Sequence, residues 1–107
     1  KNKMGSDIKG YSVVEIIRLN IGSPATNFLF TKMQNVGSIC DSMMITNLGS
    51  NNVFASFSGA ALVTGGSTAM LLPPNAIRSL DIRASGISIV SSGGNVTTEV
   101  EVIGLGV

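Results

Sequence analysis

Turn residues interrupt this chain at short intervals, and that spacing limits what it can fold into. Clusters of Gly, Asn, Ser and Pro occur at residues 20–24, 34–38, 47–52, 64–68 and 91–95. Further turns at residues 73–75 and 83–86 divide the longest interval, and the short segments between turns are rich in Val, Ile and Phe, which favour strands over helices. We therefore expect an all-β domain of about eight strands, a small sandwich of the jelly-roll or immunoglobulin-like (Ig-like) type.

The clearest strand is predicted at Val96–Ile103, where apolar and polar residues alternate strictly. Alternation with a period of two places one set of side chains in a core and the other in solvent. The inward set is Val96, Thr98, Val100 and Val102, and the outward set is Thr97, Glu99 and Glu101.

A β-hairpin is predicted in the middle of the chain. Met43–Thr46 and Val53–Phe57 are apolar, and the polar segment Asn47–Asn52 between them contains Asn and Gly, which tolerate turn conformations. The second limb carries Phe54 and Phe57 on opposite faces, so we expect one of these faces to meet a neighbouring subunit. Upstream, Thr26–Met33 also has strand patterning.

The first ten residues differ in composition from the rest. They are polar and contain Lys1, Lys3 and Lys9. We expect residues 1–10 to form an N-terminal arm and residues 11–107 to form a single β-sandwich domain.

Charged residues are scarce. They make up 12% of the 107 residues, about half the usual share for a soluble domain, and the formal net charge is +1. A surface with so little charge favours association, so we expect a symmetric oligomer or contacts with other proteins. The sequence has no stripe of basic residues, so we expect no specific nucleic-acid partner. No apolar run reaches the roughly 18 residues that span a membrane.

The residue types also narrow the possible chemistry. The chain has no histidine and one cysteine, Cys40, which excludes a Cys/His metal site and a histidine-assisted nucleophile. Apolar neighbours indicate that Cys40 is a buried hydrophobic residue. Glu99 and Glu101 could hydrolyse a glycoside or, with Asp81 or Asp41, bind a cation. Such a pair is more often a charged outer face that prevents aggregation, so we expect no enzyme activity, small-molecule substrate, cofactor or metal.

Three segments together resemble a known group of proteins. They are Ile45–Phe57 with its Asn47-Leu48-Gly49-Ser50-Asn51-Asn52 turn, Met70–Asn75 with its Leu-Pro-Pro turn, and Val100–Gly104. Across roughly residues 43–104 this pattern is similar to small β-sandwich structural proteins of bacteriophages, which decorate or cement capsids or are minor virion components. The resemblance implies a scaffolding role and supplies no catalytic residues.

These observations lead to one leading hypothesis and one alternative. The first is a non-enzymatic virion structural protein, a capsid decoration or cement protein or a minor capsid or tail component. It would contact other virion proteins through exposed strand edges, loops and the arm. The alternative is a glycan- or receptor-binding module of a fibre or spike, with loops 47–52, 64–68 and 91–95 lining the site. The candidate interaction residues are Lys1, Lys3, Lys9, Asn51, Asn52 and Phe54.

Overall fold

A computed structural model describes residues 12–22, 25–57, 69–92 and 97–107. Lys1, Lys3 and Lys9, the predicted boundary after residue 10, and Val96 lie outside these residues. The described elements are strands β1 (Val13–Ile21), β2 (Thr26–Leu29), β3 (Cys40–Asn47), β4 (Val53–Ser56), β5 (Ala69–Leu72), β6 (Ile77–Leu80), β7 (Gly86–Ser91) and β8 (Thr98–Gly106), and helix α1 (Thr31–Asn35).

The described strands form two four-stranded sheets in which all pairing is antiparallel. One sheet has the order β1-β8-β3-β6 and the other the order β2-β7-β4-β5. The first strand pairs with the last, β2 with β7, β3 with β6, and β4 with β5. This is a long antiparallel hairpin rolled into a sandwich, the topology of a jelly roll. The predicted all-β sandwich is confirmed, and the strand order identifies the jelly-roll type.

One hydrophobic core lies between the two sheets. On β8, Thr98, Val100 and Val102 are at most 2% exposed, and Glu99 and Glu101 occupy the intervening, half-buried positions. The alternation predicted from the sequence is confirmed for these residues. Cys40 is also buried as predicted, and burial raises the pKa of its thiol. The core residues are Ile21, Phe30, Met33, Cys40, Met43, Ile45, Val53, Ala55, Leu72, Ile87, Ile89, Val100 and Val102.

The predicted central hairpin is wrong. The strand ending at Asn47 pairs with β6 and β8, whereas the strand starting at Val53 pairs with β5 and β7. The intervening residues therefore carry the chain from one sheet to the other. Asn47 is fully buried at this crossing, and its side chain donates hydrogen bonds to the backbone oxygens of Asn51 and Leu72. A buried amide requires such partners, whereas an amide in an exposed hairpin turn can bind water instead.

The predicted strand Thr26–Met33 ends early, at Leu29, and continues as α1. The helix packs through the buried Met33, whose backbone N–H donates to Glu15 Oε1 at 3.1 Å. That carboxylate supplies the N-terminal cap that no side chain within the helix provides. With five residues, α1 is too short to cross a bilayer, and no other helix occurs in the described parts of the chain.

Candidate interaction surface

An apolar strip runs across the outer face of the β1-β8-β3-β6 sheet. Ile16 lies beside Ile103, and Ile103 lies beside Met44, so three apolar side chains form one row across three strands. Ile16 is 62% exposed and Met44 is 37% exposed. We call this surface the apolar stripe and define it by Val14, Ile16, Met44, Ile77, Ile103 and Leu105.

The register explains why these residues share one face. Side chains alternate along a strand, and the inward residues of β8 are those that pack in the core. Ile103 and Leu105 are at the other positions, and their partners on β1 are Ile16 and Val14. On β6, Ile77 lies beside Thr46 and is 57% exposed. Contiguous exposed apolar area on a sheet marks a contact surface.

Charged side chains border the stripe at one end. Arg18 Nη2 donates to Glu101 Oε2 at 3.1 Å, and Arg18 Nε lies 3.9 Å from Glu99 Oε2. The paired glutamates thus flank a guanidinium on an exposed sheet face, an arrangement that contributes about 0–1 kcal/mol. At the opposite corner, Ser42 Oγ donates to Asp81 Oδ1 at 3.2 Å. No three Cys, Asp or Glu side chains among the described residues form a group that could hold a metal ion.

The other sheet presents a different outer surface. Phe54 is half-buried there and lies between Val90 and Leu71 in the register. An open groove of about 470 Å³ runs nearby and is lined by Asn27, Leu29, Ser56, Phe57, Gly86 and Ser88 among others. None of the lining residues is charged, so this groove offers no electrostatic anchor for an ion.

The turn from residue 47 to residue 52 meets the turn after β7. Ser92 N donates to the backbone oxygen of Asn52 at 2.9 Å. Asn52 is exposed, whereas Asn51 is partly buried and its Nδ2 has no hydrogen-bond partner within the described residues. Loop 64–68 lies outside those residues.

The predicted interaction residues therefore divide between two regions. Asn51 and Asn52 lie at the turn end of the sandwich, and Phe54 lies on the outer face of the second sheet. Neither region contains the apolar stripe, which sequence reasoning missed. The available signal was in β1, where both faces of VVEIIRLNI carry apolar residues although only one can face the core.

The chain was also compared with known proteins. No family model matches it, and no curated protein matches it.

Proposed function

We propose that this chain is a non-enzymatic structural protein of a virus particle, a capsid decoration or cement protein or a minor capsid or tail component. It acts in the virion through contacts with other virion proteins and with its own copies. The apolar stripe is the observation that carries this proposal. Jelly rolls occur in viral capsid proteins and in lectins, so the fold is compatible with the proposal without deciding it.

The stripe supports binding by shape and buried area. Ile16 exposes 62% of its surface and stands at one end of a row of apolar side chains, beside Ile103. Covering such a side chain contributes roughly 1 kcal/mol or more, and a row of them concentrates this gain, which offsets the entropic cost of association, on one face. The charges of Arg18, Glu99 and Glu101 lie at one end of the stripe, so its two ends differ electrostatically. This difference favours one orientation of the partner over others.

Self-association through the stripe is tested by measuring solution mass with light scattering over a range of concentrations. We expect the mass of the wild-type protein to rise with concentration. Ile16→Glu is expected to hold the mass at that of one chain, because it places a charge at the most exposed side chain of the apolar stripe.

The matched control is Leu71→Glu. Leu71 is 44% exposed on the outer face of the other sheet, so the same charge is added at a comparable position away from the stripe. We expect this variant to associate as the wild type does. Wild-type protein that keeps the mass of one chain at every concentration would contradict self-association through this face, as would equal behaviour of the two variants.

A further inference from the structure

The outer face that carries the apolar stripe has a surplus of negative charge. Among the described residues, the outward-facing charged groups of this sheet are Arg18, Glu99, Glu101 and Asp81, so one positive and three negative groups give a net charge of −2. Arg78 lies at the β6 edge of the sheet, where its Nη1 donates to the Ile77 carbonyl oxygen. Lys32 approaches from the β1 edge, where its Nζ donates to the Val14 carbonyl oxygen at 3.0 Å. A partner that covers this face must therefore bring apolar groups and positive charge together.

Residues 1–11 have that composition. Three lysines and one aspartate give them a net charge of +2, and they contain Met4, Ile8 and Tyr11. The whole chain has a net charge of +1, so this segment carries more positive charge than the chain as a whole. The positive charge of residues 1–11 complements the negative charge of the face that carries the apolar stripe, and their apolar side chains suit the stripe itself.

The connection point of this segment lies at the same sheet. Ser12 N donates to the Gly106 carbonyl oxygen at 3.0 Å, which places residue 12 at one corner of the sheet, directly before the edge strand β1. The pairing of β1 with β8 begins at Val13 and Gly106, so the backbone line of β1, taken backwards from Ser12, passes beyond this end of the sheet. Eleven extended residues reach at most about 36–40 Å, and a nine-residue strand such as β1 is about 30 Å long.

We propose that residues 1–11 of one copy bind across the apolar stripe of a second copy. Met4, Ile8 and Tyr11 cover apolar side chains of the stripe, and the lysines approach Glu99, Glu101 and Asp81 at its borders. This inference rests on the proposed function and names the contact that joins neighbouring subunits. An arm exchanged between copies adds contact area without requiring a second folded interface.

Carbodiimide cross-linking of the full chain tests the proposal. Equal amounts of isotope-labelled and unlabelled protein are mixed, and the linked peptides are identified by mass spectrometry. We expect links from Lys1, Lys3 or Lys9 to Glu99, Glu101 or Asp81 that join a labelled peptide to an unlabelled one. Raising the salt from about 0.05 M to about 0.5 M should reduce their yield severalfold, because exposed charges are then screened.

Two controls locate the contact. The double variant Glu99→Gln and Glu101→Gln removes two reactive carboxylates, and its remaining links should run to Asp81. Ile16→Glu leaves all the reactive groups in place and should reduce the mixed-label yield severalfold, whereas Leu71→Glu should leave it unchanged.

Links that join only peptides of the same label would overturn the proposal, because they would place the arm on its own copy. Arm links that run only to Asp41, which is paired with Arg83 beyond the stripe, would overturn it as well, as would an absence of arm links. If the protein still associates through Ile16 in these cases, the arm inference fails and the proposed function stands. If mixed-label links form but the protein is absent from virus particles, the proposed function fails instead.

Discussion

Replacing Asn47 with alanine is expected to lower the free energy of unfolding by about 3–5 kcal/mol. The Asn47 side chain is fully buried and uses all of its hydrogen-bonding capacity. Nδ2 donates to the carbonyl oxygens of Asn51 at 2.7 Å and Leu72 at 3.0 Å. Oδ1 accepts from Gly49 N at 3.0 Å and from Thr98 Oγ1 at 3.0 Å. Alanine leaves these four groups without their partner, and each buried unsatisfied group costs about 1–3 kcal/mol.

Urea unfolding monitored by circular dichroism measures this loss. The matched control is Asn20→Ala, because Asn20 lies exposed on the outer face of β1, and its replacement should change stability by less than about 0.5 kcal/mol. Similar unfolding midpoints for the two variants would show that Asn47 does not hold the crossing between the sheets.

Phe30→Ala is expected to cost about 3–5 kcal/mol of stability. Phe30 is 1% exposed, and its ring packs edge-on against that of Phe28 with centroids 6.4 Å apart. Gly104 provides the space for it, since a Cβ there would lie 2.8 Å from Phe30 Cε1. The cavity left by alanine cannot close easily, because Gly104 belongs to β8, which is held between β1 and β3.

The same substitution at Phe54 is the control. Phe54 is only half-buried, on the outer face of the other sheet, so its truncation should cost less than about 2 kcal/mol. Thermal and urea unfolding of both variants would show which substitution lowers the free energy of unfolding more. A loss at Phe54 equal to or larger than the loss at Phe30 would contradict this description of the core.

The features that the sequence predicted depend on local pattern. Strict alternation around Val100 and Val102 predicted which residues of β8 are buried, and the apolar setting of Cys40 predicted its burial. The spacing of turns predicted about eight short strands. Each of these inferences needs only neighbouring residues, because side-chain direction alternates along any strand.

The features that were missed depend on contacts between distant residues. The segment around Asn47 and Asn52 has the residues of a hairpin turn, but the pairing of β3 with β8 places the two flanking strands in different sheets. The predicted strand Thr26–Met33 is present only to Leu29, and helix α1, which follows it, is capped by Glu15, 18 residues before Met33. The apolar stripe was hidden because β1 has apolar residues on both faces, and only its register with β8 determines that Ile16 points outward.

The protein content of purified virus particles is the most direct test of the proposed role. Quantitative mass spectrometry should find many copies of this chain in each particle, and Ile16→Glu should be incorporated severalfold less than Leu71→Glu. A chain absent from purified particles, while present in the cells that produce them, would contradict the proposal that it is a virion structural protein.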